Sequence, residues 1–134
     1  MLRIPSPIYN GLIEHAQAGF PLEVCGILGG SGDLISVAYP MTNTDASNEH
    51  FMMDPREQFS VVKDLRAKGL TMMVIYHSHP ESPARPSEED IRLALTPDVS
   101  YVIISLSDPL QPDIKSFRIE NGKVQSEPIE IIPV

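Results

Sequence analysis

A stretch of fourteen residues, HSHPESPARPSEED at positions 77–90, carries two of the four histidines of the chain directly after an apolar run. On a β-strand, successive side chains point to opposite faces, so His77 and His79 point the same way with Cα atoms roughly 6.5 Å apart. Two imidazoles at that spacing can bind one metal ion with bonds of about 2.0–2.1 Å. Asp90, at the start of the next predicted helix, is free to supply a third ligand.

Two neutral imidazoles and one carboxylate leave an open fourth position on a bound Zn²⁺, as in catalytic zinc sites. Structural zinc sites mostly use several thiolates, whereas Cys25 is the only cysteine of this chain. An open site lowers the pKa of a bound water and polarises a carbonyl group.

Two plainer interpretations of these residues stay open at this point. The histidines can be surface groups, and Ser87-x-x-Asp90 fits a capping box at a helix start, which does not exclude ligation.

The same residues resemble a family signature. His77-Ser78-His79-Pro80, six residues, Ser87, two residues and Asp90 match, without a gap, the zinc pattern of the JAMM (MPN+) metallopeptidases. That family also has a glutamate on an early strand before a glycine and an apolar run, and PLEVCGILGG supplies Glu23 there. The resemblance spans at least residues 1–107.

The resemblance implies a role for each matching position. It implies that His77, His79 and Asp90 bind one Zn²⁺ per chain, with a water in the fourth position. It implies that Glu23 is the general base and that Ser87 donates a hydrogen bond to the developing oxyanion. Without the resemblance, Glu23 is predicted to be a solvent-facing acid at a strand start, and Ser87 a helix N-cap.

The resemblance also implies a substrate. JAMM proteins cleave peptide or isopeptide bonds after the Gly-Gly tail of ubiquitin-like proteins, and this compact chain is similar to a small bacterial branch associated with sulfur-carrier proteins. We therefore expect a zinc-dependent peptidase that releases cysteine or a short extension from the Gly-Gly end of such a carrier. Two alternatives are a non-catalytic MPN interaction module and a metal-dependent amidohydrolase acting on another small substrate.

Other reactive side chains have plainer predicted roles. Cys25, within VCGIL, is predicted to be a small buried hydrophobe, and a role as a thiolate nucleophile is the less favoured alternative. Arg85, beside the zinc signature, is a candidate for substrate contact. His50 is left unassigned near the cleft. Two pairs are predicted to be only solvated or helix-terminal charges: Glu14-His15 and Glu88-Glu89.

The elements that must position these residues follow from periodicity and turn signals. Helices are predicted from Ser6-Pro7 to Gly19, from Asp54-Pro55 to Lys68-Gly69 and from Ser87 to about Leu95; strands are predicted at 22–30, 34–41, 71–79 and 100–107, with a short extended piece at 50–53 and a hairpin around Asn121-Gly122. The buried face of the second helix is predicted to consist of Phe59, Val62 and Leu65, with Val61 as a further candidate. Strand 71–79 is apolar on both faces and is predicted to be central. The predicted class is α/β, a mixed β-sheet flanked by helices on both sides; the resemblance implies the JAMM/MPN, cytidine-deaminase-like three-layer arrangement.

Length and charge limit the remaining options. The 134 residues fit a single domain, 1–134, and the net charge of −8 disfavours nucleic acid and anionic membrane surfaces as partners. The first residues do not resemble a signal peptide, and the apolar runs fall short of the ~20 residues that a membrane helix needs. A cytoplasmic location is expected. The sequence leaves open whether the protein forms a homodimer.

Overall fold

The fold is built on one eight-stranded sheet, described here from a computed structural model of residues 1–134. The elements in chain order are β1 (Leu2–Pro5), α1 (Ser6–Gly19), β2 (Cys25–Ser31), β3 (Leu34–Met41), α2 (Pro55–Ala67), β4 (Thr71–His79), α3 (Glu88–Arg92), β5 (Ser100–Ser105), β6 (Asp113–Glu120), β7 (Lys123–Glu127) and β8 (Ile129–Ile132). The strand order across the sheet is β7-β6-β5-β4-β2-β3-β1-β8. The apolar strand β4 therefore lies in the middle, as predicted.

The sheet is mixed. β2 and β3 form an antiparallel hairpin, β4 and β5 are parallel, and β6 and β7 form a second hairpin. The turn of that second hairpin contains Asn121 and Gly122, both at positive φ, which these residue types adopt at low cost. The predicted mixed sheet is confirmed.

The two long helices cover opposite faces of the sheet. Leu12 and Ala16 of α1 pack in a core with alternate residues of the strands, among them Leu28, Val74 and Val102. Val61 and Leu65 of α2 pack in a second core with strand residues that point to the other face of the sheet, among them Cys25 and Ile27. The prediction of helices on both sides is therefore confirmed. No helix in the structure combines the length and the apolar character needed to cross a membrane.

The buried face of α2 differs from the prediction. Val61 and Leu65, one turn apart, are buried, whereas Phe59 is 66% exposed and Val62 37% exposed. Successive helical residues are about 100° apart, so the stripe through Val61 and Leu65 leaves Phe59 on the solvent side. The assignment of Phe59 and Val62 to the core is wrong.

Several boundaries also differ. β2 begins at Cys25 and not at residue 22, α3 ends at Arg92 and not near Leu95, and β5 ends at Ser105 and not at 107. The piece 50–53 contributes only an isolated bridge between Met53 and Asn43. Helix α1 has the predicted range, and its N-cap is Pro5, which provides no side-chain cap. The short strands β1 and β8 were not predicted; they pair with each other in parallel, joining the two ends of the chain.

Candidate metal centre

Three side chains converge at the end of β4. Nε2 of His77 lies 3.1 Å from Nε2 of His79 and 3.1 Å from Oδ2 of Asp90, and the third separation, from His79 Nε2 to Asp90 Oδ2, is 3.0 Å. Tetrahedral zinc with bonds of about 2.0–2.1 Å would hold its ligand atoms about 3.3 Å apart. The donor set and its spacing therefore fit one small cation, with a fourth position left open.

The alternation of β4 brings the two imidazoles together. His77 and His79 are both buried on one face. Ser78, between them, points to the other face, where its Oγ accepts a hydrogen bond of 2.9 Å from the Val24 N–H. β2 and β5 flank β4 in register, with Cys25 opposite His77 on one side and Ile103 on the other. The predicted common face of the two histidines is confirmed.

Contacts behind the two rings restrict their orientation. Nδ1 of His79 lies 2.8 Å from the carbonyl oxygen of Pro83, so this nitrogen is the donor, and in the neutral ring Nε2 carries the lone pair that a metal would need. The His77 ring stacks on Phe51, with centroids 4.7 Å apart and planes at 21°, and its buried Nδ1 has no hydrogen-bond partner. Burial lowers the pKa of His77, which favours the neutral imidazole that metals bind.

Asp90 belongs to the capping box and to the cluster at the same time. Ser87 Oγ accepts a hydrogen bond of 3.0 Å from the Asp90 N–H, and Asp90 Oδ2 accepts one of 2.9 Å from the Ser87 N–H. Burial alone would raise the pKa of Asp90, but hydrogen bonds with His77 and His79 hold it well below its ordinary value. For His79, burial opposes protonation, yet the contacts with Asp90 and with the Pro83 carbonyl raise its pKa. The capping interpretation of Ser87 is confirmed, and it coexists with the convergence of Asp90 on the histidines.

Glu23 lies beside this cluster on the segment that leads into β2. The Glu23 N–H donates a hydrogen bond to the Ser47 carbonyl at 2.8 Å, and the Glu23 carbonyl accepts one from Asn43 Nδ2 at 3.1 Å. The backbone of Glu23 is therefore hydrogen-bonded to the loop and not to a neighbouring strand. Its side chain is buried, and Oε1 has no partner. Burial raises the pKa of Glu23 to about 8, while the charge of His79 lowers it and that of Asp90 raises it further. The prediction of a solvent-facing Glu23 at a strand start is wrong.

A cavity of about 240 Å³ opens next to His77. Its walls are mainly apolar and come from the segment before α2, from the inner strands and from the end of α3, including Phe51, Met53, Ile75, Leu93, Tyr101 and Ile103. His50 and Glu89 line it as well, and their side chains pair at 2.8 Å. The cleft therefore reaches two of the three converging side chains, His77 and Asp90.

The remaining predicted roles have mixed outcomes. Cys25 is a buried hydrophobe, as predicted, and burial together with the charge of Glu57 raises its thiol pKa to about 12. Arg85 is exposed on the loop, and its role as a substrate contact stays a prediction. Two assignments are wrong: Nδ1 of His15 lies 2.7 Å from the Tyr76 hydroxyl and does not form a solvated pair with Glu14, and Glu89 pairs with His50.

Phe51 and Asn43 are the site residues that the sequence analysis missed. Asn43 Nδ2 donates to the carbonyls of both Glu23 and His50, which ties the loop to the segment carrying Glu23. Phe51 packs on His77. An asparagine in a polar loop and an aromatic residue before a helix are common, so only their contacts in space reveal the connection.

The mixed sheet thus carries a histidine–aspartate cluster that could hold a metal ion. A family model described as prokaryotic homologs of the JAB domain matches residues 5–120. The chain is 35% identical to the CysO-cysteine peptidase of Mycobacterium tuberculosis, over 98% of this chain and 92% of that protein. It is also 35% identical to a probable TtuB-protein conjugate cleaving protease of Thermus thermophilus, over 85% of this chain and 76% of that protein.

A solved structure gives the same result for the fold. The solution structure of protein DSY2949 from Desulfitobacterium hafniense superposes with a TM-score of 0.91 at 45% identity, covering 100% of this chain and 94% of that one. The chain belongs to the prokaryotic JAB-domain family, and the predicted JAMM resemblance and fold are confirmed.

Proposed function

We propose that this protein is a zinc-dependent peptidase or isopeptidase that hydrolyses the bond after the C-terminal Gly-Gly of a ubiquitin-like sulfur-carrier protein. The observation that carries the proposal is the convergence of His77, His79 and Asp90 to within 3.1 Å of one another. The names of the relatives support the substrate class: one is a CysO-cysteine peptidase and one a protease of TtuB-protein conjugates. The product is then cysteine, a short extension or a protein amine.

His77, His79 and Asp90 are the residues that would hold the metal, one Zn²⁺ per chain. Two imidazoles and one carboxylate suit zinc, and the Pro83 carbonyl behind His79 is a typical orienting group. When bound, zinc would activate a water and polarise the scissile carbonyl. The chain's own residues handle the protons and the developing charge.

Glu23 is the proposed general base. Its buried Oε1 has no partner within the protein, so it is free to accept a proton from the attacking water and to pass it to the leaving amine. Such a base has to be ionised at working pH. A cation held by the three proposed ligands would lower the raised pKa of Glu23, because positive charge favours the ionised carboxylate.

Ser87 is proposed to stabilise the oxyanion. A hydroxyl has one proton and two lone pairs, so accepting the hydrogen bond from the Asp90 N–H leaves the Ser87 proton available to a substrate oxygen. Ser87 is exposed, which keeps it accessible to substrate. Capping and oxyanion stabilisation are therefore compatible.

The cleft beside His77, about 240 Å³ in volume, is smaller than the pockets of about 300–1,000 Å³ that enclose drug-sized ligands. A small amide fits within this volume, so the choice of a protein substrate rests on the names of the relatives. A non-catalytic interaction module would lack some of the signature residues. The three proposed ligands, Glu23 and Ser87 are all present, which weighs against that alternative.

Mass spectrometry of a Gly-Gly carrier tests the proposal. A sulfur-carrier protein extended past its Gly-Gly by one cysteine, or by a short peptide, is incubated with zinc-loaded protein. We expect cleavage directly after the second glycine, and a loss of at least 100-fold in rate with Glu23→Gln. Cys25→Ala is the matched control and should cleave at the wild-type rate.

An intact carrier in the presence of stoichiometric zinc would contradict the substrate assignment. No zinc bound at all would contradict the metal site itself. Cleavage of free small amides at a higher rate than the carrier would favour the amidohydrolase alternative. The cytoplasmic location, the single-domain boundary and homodimer formation stay predictions.

A further inference from the structure

The helix that carries Asp90 has little packing of its own. α3 comprises only five residues, none of them buried, and it follows a loop with prolines at 80, 83 and 86. Ile91 is only partly buried against the neighbouring core. The capping box shapes the first turn, but it does not hold that turn at a given distance from β4. The Ser105 Oγ hydrogen bond to the Ser82 carbonyl and the buried Ala84 hold the preceding loop. Contacts from other elements to α3 itself then help to fix the position of Asp90 relative to His77 and His79.

His50 makes such a contact. Its Nδ1 lies 2.9 Å from Oε1 and 2.8 Å from Oε2 of Glu89, the residue directly before Asp90. The next residue of the loop, Phe51, stacks on the ring of His77. His50 therefore contacts the helix that carries Asp90, and the next residue, Phe51, contacts the ring of His77.

The loop itself is anchored well enough to act as a support. The His50 N–H donates to Ser47 Oγ at 3.2 Å, and the His50 carbonyl accepts from Asn43 Nδ2 at 2.9 Å. The Thr44 N–H donates to the Met52 carbonyl at 2.9 Å. The backbone on both sides of the His50 side chain is thus hydrogen-bonded to the rest of the loop.

We propose that His50 is a positioning residue of the metal site, and that its contact with Glu89 holds α3 so that Asp90 faces the two imidazoles. The inference rests on the proposed role of His77, His79 and Asp90 as zinc ligands. His50 and Glu89 are 48% and 34% exposed, and an exposed pair contributes little to global stability. Its effect is local: zinc affinity depends on it, whereas the melting of the zinc-free protein does not.

Zinc affinity, measured by competition with a chromophoric chelator, tests this inference on three variants and a control. His50→Gln and Glu89→Gln should each bind zinc about tenfold more weakly, as for other residues that orient metal ligands. The double variant should be no weaker than either single one, because both remove the same contact. Glu88→Gln removes an equal charge from the same helical turn and should bind zinc as the wild type does.

The sign of the His50 effect separates positioning from simple electrostatics. A charge effect alone predicts that His50→Gln leaves zinc affinity unchanged or improves it, because an imidazole that carries positive charge repels the ion. Unchanged or tighter binding by His50→Gln would overturn the proposal. The proposal would also be overturned if Glu89→Gln weakened zinc binding equally in the wild type and in the His50→Gln variant.

Hydrogen exchange in the zinc-free protein keeps the test independent of the proposed function. In α3 the Ile91 N–H donates to the Ser87 carbonyl and the Leu93 N–H to the Glu89 carbonyl. These amides should exchange severalfold faster in His50→Gln than in Glu88→Gln. Equal exchange in the two variants would overturn the positioning role, whereas failure of the wild type to bind zinc would overturn only the metal site.

Discussion

At the scale of single residues, the spacing of the signature predicted the convergence of the three proposed ligands, because these residues lie close together in the sequence. His77 and His79 are two positions apart on a strand, and Asp90 is in the first turn of the next helix, so strand alternation and one loop determine their placement. The burial of Glu23 was not predictable in this way. It depends on the Ser47 carbonyl and on Asn43, both about twenty positions further along the chain.

Cys25 offers a direct test of which residue near the site is reactive. Its thiol is fully buried, directly opposite His77 on the neighbouring strand, and its pKa is raised to about 12. A buried protonated thiol is a poor nucleophile. Native protein at pH 8 should therefore react with a thiol reagent at least 100-fold more slowly than protein unfolded in guanidinium. Comparable rates in the two states would show that Cys25 is accessible and would reopen a thiolate role.

At the scale of elements, sequence patterns predicted those with a long apolar period. β4 was predicted with its observed bounds, because nine residues with apolar side chains on both faces are typical of a central strand. β1 and β8 are only four residues each, and they pair across almost the whole chain, so no local pattern marks them. The contact between His50 and Glu89 joins residues 39 positions apart and is equally non-local.

The packing of β2 against β4 depends on Gly26. A Cβ added there would lie 2.3 Å from Cε2 and Cζ of the Tyr76 ring, far inside van der Waals contact. Gly26→Ala should therefore lower the free energy of unfolding by about 1–3 kcal/mol, measured by denaturant titration. Gly11→Ala is the matched control, since nothing lies within 4 Å of its added Cβ, and in helix α1 it should stabilise by about 0.5–1 kcal/mol.

A smaller side chain at position 76 checks the cause. In a Tyr76→Leu background, Gly26→Ala should cost less than in the wild type, because the ring that it meets is gone. Equal destabilisation in both backgrounds would show that the clash with Tyr76 is not the reason for a glycine at this position.

At the scale of the whole molecule, the partly buried contact between His15 and the Tyr76 hydroxyl links stability to pH. Burial lowers the pKa of His15 below its ordinary value of 6.5, so the unfolded chain takes up a proton before the folded protein does. This contribution to stability is complete above the unfolded pKa and is lost as pH falls from about 6.5 through the lower folded value. The contribution of His15 to the stability of the zinc-free protein should therefore be smaller at pH 5.5 than at pH 7.5, whereas Glu23, whose pKa is raised to about 8, acts in the opposite direction over this range.

His15→Gln isolates this contribution from those of the other histidines. Glutamine can still hydrogen-bond to the Tyr76 hydroxyl, but it does not titrate. The unfolding free energy at pH 7.5 minus that at pH 5.5 should be lower in the variant than in the wild type, as measured by urea unfolding of both proteins with chelator present. The same value in both proteins would show that His15 does not contribute to the pH dependence.

Zinc binding should stabilise the folded protein, because it would connect β4 to α3 through the proposed ligands. The proposed ligands come from β4, in the middle of the sheet, and from α3, which has no buried residue. A ligand that binds only the folded state stabilises it by RT ln(1 + [L]/Kd), about 2.7 kcal/mol at a hundredfold excess over Kd. The wild type should show this gain with zinc over chelator in urea unfolding, Glu88→Gln should keep it, and Asp90→Ala should lose most of it. An equal gain in Asp90→Ala would mean that zinc binds elsewhere on the chain. A gain confined to proteins with Asp90 would show that the short helix α3 supplies one of the zinc ligands.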